Sequence, residues 1–341
     1  MKQRLAVLVL ALLALLALGL AAGCGGDDEE SGEAQEAQQT ATSATEEEQE
    51  LSQEPIRVFV GIDTAYAPFF VAEREGLFEE EGINVELTQF TQGGEGVDAL
   101  TAGEMDAGGS GDATVLGKST RSDIRALAVL QESGDYIKLV VREDIDEPSQ
   151  IEKVGIVPGS LSEYGAVRML EHFDISEDSV EFVPAGPPEL PPLLQRGDVD
   201  AFVIWEPWPT QAEELGGKVL MRTKEFDYSY LFFLIARGDW FDEHEAEAAA
   251  YVRALARAAE MVEEDPDLAA EATEAEVRIP PDQSLTAVEQ IDFDVRPFSD
   301  EDIENLDRVA DFLVDREIVE TKPDPEALVV EGFAEEALAS N

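Results

Sequence analysis

One block of this sequence occurs twice, and that repeat limits what the chain can fold into more than any other feature. Val60-Gly61-Ile62 returns as Val154-Gly155-Ile156, 94 positions later, and Val85-Glu86-Leu87 returns as Val180-Glu181-Phe182, 95 later. Leu100-x-x-Gly103-Glu104-Met105-Asp106-Ala107 returns as Leu194-x-x-Gly197-Asp198-Val199-Asp200-Ala201, again 94 later. Single three-residue matches arise by chance. Three in the same order at a near-constant offset describe two copies of one unit, and a repeat of this length is a domain rather than a solenoid turn.

The unit reads as βαβαβ. Ile56–Ile62 is an apolar run of buried-strand type, Asp63–Pro68 a loop and Phe69–Glu81 a helix. Ile83–Phe90 alternates like a second strand. Thr91–Gly94 is a glycine-rich turn, Glu95–Ala102 a short helix and Met105–Gly108 a third strand. Strands alternating with helices across short loops imply parallel pairing and an α/β layer architecture. In open α/β sheets the ligand sits beyond the carboxyl ends of the strands. Two copies facing each other therefore share a cleft, lined by Asp63–Pro68, Gln92–Glu95 and Ser110–Asp112 from one and by Pro158–Glu163, Ala185–Pro188 and Trp205–Trp208 from the other. Tyr136–Arg142 and Tyr230–Arg237 are strand-like, bracket the second copy and read as two crossings between lobes. The expected division is residues 55–142 plus 231–341 for lobe 1 and 143–230 for lobe 2. Helices follow: a stripe of Val252, Leu255, Ala259 and Val262, then segments near Gln283–Ile291, Asp300–Asp315 and Pro325–Leu338, expected to pack on the first lobe.

The stretch Tyr66-Ala-Pro-Phe-Phe-Val-Ala-Glu-Arg-Glu-Gly-Leu-Phe-Glu-Glu-Glu-Gly-Ile closely resembles the nitrate/sulfonate/taurine/thiamine-pyrimidine group of ABC-importer solute-binding proteins. The resemblance continues through Gln92-Gly93-Gly94, Leu100-x-x-Gly103-x-x-Asp106, Gly111-Asp112, Gly159-Ser160 and Trp205-Glu206-Pro207, covering roughly residues 55–265. It implies a two-lobed periplasmic-binding-protein fold of type II-like form, a hinge, no catalysis, no cofactor, and membrane permease and ATPase partners. The chain itself is expected as a monomer. The ligand it implies is small and organic, either sulfonate/taurine/nitrate-like or pyrimidine-type. The alternatives are an enzyme of the same fold acting on a pyrimidine-type metabolite and a sensor lipoprotein without a transporter.

Trp205-Glu206-Pro207-Trp208 is the sharpest local signal. Trp205 offers a flat face to a planar or cationic ligand and Glu206 an acceptor for its N–H groups. The competing reading is a packed indole, with Glu206 capping the next helix. Asp63, Thr64, Tyr66 and Phe69 follow the first strand, where a helix start presents free N–H groups to an anion, unless Asp63 or Thr64 merely caps it. Gln92 and Gly93 occupy the glycine-rich turn. Ser110 and Asp112, and Ser160 and Tyr164 in the equivalent loop of the second copy, stand between ligand contact and capping. Tyr228 sits near the return crossing with Asp227 and Tyr230, and the three are candidates to line the cleft from its hinge side. No basic residue occurs in any of these loops, so carboxylates and aromatics favour a ligand of amine or heteroaromatic character, although backbone N–H groups can still serve an anion. Two histidines, His172 and His244, are too few for a nitrogen-rich metal site, and no metal site is expected.

The beginning of the chain has a different character. Lys2 and Arg4 precede the apolar run Leu5–Leu18, and Ala21-Ala22-Gly23 stands directly before Cys24, the one cysteine. This pattern is expected to be an export signal over residues 1–23 with Cys24 as a lipidation site, set against an uncleaved membrane-spanning helix. Residues 24–54 then read as the lipidated Cys and a disordered acidic tether. The 76 acidic against 23 basic residues, net −53, exclude a phosphate-rich partner such as nucleic acid. Without the eleven carboxylates of the tether and the two leading cations, residues 55–341 still carry 65 acidic and 21 basic side chains, net −44. That charge is dispersed, as a solvated and highly soluble surface requires.

Overall fold

Ile56–Gly61 is buried nearly end to end and forms an interior strand of a five-stranded sheet in the computed structural model, which describes residues 51–340. The expected export signal, Cys24 and the tether as far as residue 50 lie outside the described residues. The first copy of the repeat runs β1 (Ile56–Gly61), α1 (Ala67–Glu75), α2 (Leu77–Glu80), β2 (Val85–Phe90), α3 (Gly93–Thr101), β3 (Ala107–Gly111), α4 (Asp112–Ser119) and β4 (Ile124–Ser133). After a crossing come β5 (Ile137–Arg142), β6 (Lys153–Ile156), α5 (Leu161–His172), β7 (Glu181–Pro184), α6 (Leu190–Arg196), β8 (Ala201–Trp205), α7 (Trp208–Glu214) and β9 (Gly217–Arg222). The return crossing leads to β10 (Tyr230–Arg237), followed by α8 (Gly238–Glu243), α9 (Glu245–Glu264), α10 (Pro266–Val277), α11 (Pro281–Val288), α12 (Asp300–Asp315), α13 (Pro325–Leu328) and α14 (Phe333–Ala339).

The two sheets have the same plan, β2-β1-β3-β10-β4 and β7-β6-β8-β5-β9. In each, the first three strands of one copy pair in parallel, and the fourth position is an antiparallel strand that follows a crossing. The lobes thus exchange a strand: β5 completes the second sheet and β10 the first. Ile137–Arg142 therefore lies in the second sheet, whereas the division drawn from sequence put it with the first lobe. The crossing passes through Gly134 and Asp135 instead.

The repeated aspartate explains part of the motif that revealed the repeat. Asp106 accepts from the backbone N–H of Arg57 at 3.0 Å, and Asp200 accepts from that of Lys153 at 2.9 Å, so each anchors the start of its copy's first strand. Each also meets the arginine that ends the exchanged strand, Arg237 at 3.3 Å from Asp106 and Arg142 at 2.7 Å from Asp200. The preceding glycines, Gly103 and Gly197, take positive φ of 79° and 75°, where a side chain would be strained. The motif is the joint between native and exchanged strands, and it stands away from the ligand cleft.

Two expected helices are broken. Gly76 adopts φ 74° and ends α1, so Phe69–Glu81 becomes α1 and α2. Gly332, at φ 77°, likewise separates α14 from α13 within the expected Pro325–Leu338 helix. The stripe Val252, Leu255, Ala259 and Val262 is buried as expected. It packs on the first lobe, where the Tyr251 hydroxyl donates to the Gly108 carbonyl of β3 at 3.0 Å. At the far end of α12 the C-terminal region reaches the second lobe. Arg316 donates to Glu163 at 3.2 Å, pairs with Glu177 and lies 5.0 Å above the Phe182 ring.

Candidate functional site

The crossings put two tyrosines at the base of the cleft. Tyr136 stands just before β5 and Tyr230 opens β10, and their rings stack 5.9 Å apart at 29°. Around them lies a pocket with about 410 Å³ of empty space, part of it open to solvent. Tyr66, Phe232 and Trp205 supply further aromatic wall, with Tyr66 and Phe232 edge to face at 5.1 Å. Leu161 of the second lobe closes against Gly111 of the first. A Cβ at Gly111 would stand 2.8 Å from a Leu161 methyl, so the approach depends on glycine there.

The polar groups come from strand ends and helix starts. Asp63 ends the first strand's loop, and its Oδ1 accepts from the Ala65 N–H at 3.0 Å, as an N-cap. The Tyr136 hydroxyl lies 3.2 Å from the same oxygen and donates to the Glu206 carbonyl at 2.9 Å. Burial pushes the Asp63 carboxyl up to about 7, against the opposing pull of these two hydrogen bonds. At the start of α3, Gln92 makes no side-chain cap, and Gly93 and Gly94 line the cavity with backbone N–H groups that the helix itself leaves unused. Gly93 can come so close only without a side chain, because a Cβ would be 2.5 Å from the Tyr66 hydroxyl and 2.7 Å from that of Ser110. Ser110, Thr114 and Gln92 line the cavity, and among the described residues their side chains have no hydrogen-bond partner. No Lys or Arg lines it.

Of the residues singled out from sequence, Asp63, Tyr66, Gln92, Gly93, Ser110, Ser160, Trp205 and Tyr230 meet in this cavity. Ser160 is also the N-cap of α5, accepting from the Ser162 N–H at 3.1 Å and donating to the Val157 carbonyl at 2.7 Å. The others stand outside its lining. Thr64 is wholly buried beside the cavity, and Phe69 packs between Tyr66 and Tyr251. Asp112 ties the return crossing to the first lobe, accepting from the Leu231 N–H at 3.1 Å and the Tyr228 hydroxyl at 3.2 Å. Burial raises its carboxyl to about 6. Tyr164 and Tyr228 pack edge to face at 4.7 Å outside the main cavity.

Glu206 is the clearest departure. Its side chain is 2% exposed and is spent on a buried ion pair with Lys138 of β5, while its other oxygen accepts from the Thr210 N–H at 3.1 Å and caps α7. Only Trp205 of that motif lines the cavity. Reasoning from loops alone missed Phe232 and Thr114, which sit on elements, and Tyr136, which directly precedes β5. Tyr136 was signalled, because Tyr230 heads the other crossing at the same 94-residue spacing as the repeat.

Residues 50–277 match the NMT1-like family. The chain is 26% identical over 222 residues to the taurine-binding periplasmic protein of Escherichia coli strain K12, covering 63% of this chain and 69% of that one. It is 23% identical over 293 residues to the putative aliphatic sulfonates-binding protein of Bacillus subtilis strain 168, covering 82% and 87%. Among solved structures, the alkanesulfonate-binding protein of Xanthomonas axonopodis pv. citri superposes with a TM-score of 0.73 at 16% identity, over 82% of this chain and 99% of that one.

The Lys138–Glu206 pair generates a test of its own. Removing one partner strands the other charge in the interior, which costs about 3–5 kcal/mol. Glu206→Gln and Lys138→Met should each lose that much in urea unfolding, and the double variant much less than their sum. A Glu206→Gln protein as stable as the parent would show that the pair is not the buried tie described here.

Proposed function

The chain belongs to the NMT1-like family, and from that premise we propose that it is an extracytoplasmic receptor that captures a small aminosulfonate of the taurine type and delivers it unchanged to an ABC permease and ATPase. Solute binding is what its relatives are named for, and residues of both lobes line one shared cavity. The observation that carries the ligand class is the pairing of opposite polarities in one cavity. The open start of α3 offers Gly93 and Gly94 N–H groups and the positive end of a helix dipole to an anionic head. Asp63 offers a buried carboxylate to an amine, and the aromatic walls fit the short carbon chain between them. A lining without Lys or Arg leaves the anion to N–H and hydroxyl donors, and the carboxylate then selects for a cation at the other end.

Asp63 makes this reading testable through pH. An ammonium beside it favours the ionised form, so taurine should bind more tightly as pH rises through about 7, while its amine stays protonated well past neutrality. Ethanesulfonate, which lacks the amine, gains nothing from ionised Asp63 and should bind no better, or worse, over the same range. Asp63→Asn should flatten both profiles and cost taurine roughly five- to 150-fold in affinity, the loss of one charged hydrogen-bond partner. Calorimetric titration from pH 5.5 to 8.5 measures all four curves. Equal affinity and equal pH dependence for the two ligands would assign the receptor to plain alkanesulfonates. Binding of neither would remove sulfonates altogether.

We also propose that Cys24 carries the chain at the membrane surface through acyl groups, since stable attachment takes more than one chain and this residue is the sole thiol. Cys24→Ser should move the protein from the membrane pellet to the soluble fraction after a salt wash. Retention of the Ser variant in the pellet would favour an uncleaved apolar helix instead.

A further inference from the structure

Carboxylates outnumber cations about three to one from residue 55 onward, and among the described residues every Arg and Lys except Arg121, Arg278 and Arg308 has a carboxylate within 4 Å. Arg308, on α12, is an exception: its guanidinium meets Asn305 but no carboxylate within 4 Å. Itself exposed, it borders a narrow polar crevice formed between the lobes. Arg168 of α5 enters from the opposite lobe, with Tyr164, Tyr228 and Asn305 beside it. Arg168 holds Glu171 through one nitrogen at 2.6 Å, which leaves its remaining N–H groups. Both guanidinium groups are near enough to Tyr164 to pull its hydroxyl down against the burial that raises it to about 12. Two carboxylates share the crevice. Asp112 is spent on Tyr228, Leu231 and Ala113, and Asp227 sits exposed at the rim.

We propose that this crevice is a second binding site, distinct from the central cavity, which takes a tetrahedral oxyanion, sulfonate or sulfate, between Arg168 and Arg308. One cation comes from each lobe and the fork geometry of guanidinium suits an oxyanion. Such an anion joins the lobes only when they are closed. Binding there stabilises the closed form and, by linkage, raises affinity in the central cavity by the same factor that central ligand raises affinity for the anion. In a molecule of this negative charge, the site also gives an incoming anion a local positive contact at the entrance.

The test uses sodium sulfate against sodium chloride at matched ionic strength on the purified protein. Sulfate should give a saturable rise in Tm at millimolar concentration, roughly 2 °C beyond the chloride control. Arg308→Gln and Arg168→Gln should each abolish the saturable part, leaving only the gradual salting-out increase that sulfate gives any protein. Arg121→Gln, the loss of an equally charged and unpaired exposed arginine elsewhere, should keep it, and so should Trp205→Ala in the central cavity. The same saturable increment in parent and Arg308→Gln, or none in the parent, overturns the proposal. Loss in Trp205→Ala with retention in Arg308→Gln would put the ion in the central cavity and overturn it equally, without touching the taurine titrations.

Discussion

The exchange of β5 and β10 is the constraint on which the rest of the structure depends. In each sheet the fourth strand is the one that follows a crossing: β5 enters the second sheet from the first lobe, and the first sheet is complete only when β10 returns to it. The chain must therefore pass twice through one narrow region, at Gly134–Asp135 and just before Tyr230. Whatever side chains stand at the mouths of those two passages become the floor of the cleft. They are Tyr136 and Tyr230, and their stacking follows from the topology. Asp106 and Asp200 then fasten each exchanged strand to the start of the neighbouring copy through Arg237 and Arg142. Hinge, floor and joint are all products of one duplicated sequence.

The floor decides what the cavity can hold. Parallel strands end there, helices begin there, and helix starts carry unused N–H groups. Some of those starts are already occupied: Asp63 caps the first turn and Ser160 the start of α5, while Asp112, the first residue of α4, accepts from the Ala113 N–H. The start of α3 alone among these is left open, with two glycines that let ligand approach the backbone. Asp63 faces it from the other side in a setting dry enough to raise its carboxyl to about 7. Closure needs contacts beyond the cavity as well, and α12 supplies them through Arg316 on Glu163 and Glu177 and through Phe312 against Tyr164 at 4.7 Å.

Much of this architecture could be read in the sequence, because duplication leaves offsets that a single copy does not. The βαβαβ unit, the strand-like crossings and the C-terminal helices followed from them, as did eight of the residues that meet in the cavity. What stayed hidden depends on long-range partners. Nothing near Glu206 says that Lys138, on the exchanged strand, will take its charge. Nothing local says that Ile137–Arg142 will complete the second sheet rather than end the first. The break at Gly76 was concealed by apolar periodicity that continues across it. Tyr230 was among the candidates at the return crossing, and Tyr136 was within reach, since its spacing from Tyr230 repeats the offset of the copies.

The central claim is that two lobes joined by exchanged strands close on a ligand bound between them. Thr101 and Gln195 stand at corresponding positions of the two copies, both exposed, one at the end of α3 and the other on α6. With Cys24 replaced by Ser, spin labels at these two positions report the distance between lobes by pulsed electron resonance. Saturating taurine, checked by calorimetry on the same sample, should convert a broad distribution into a narrow one at the shorter end. An unchanged distribution in a protein shown to have bound the ligand would contradict the account.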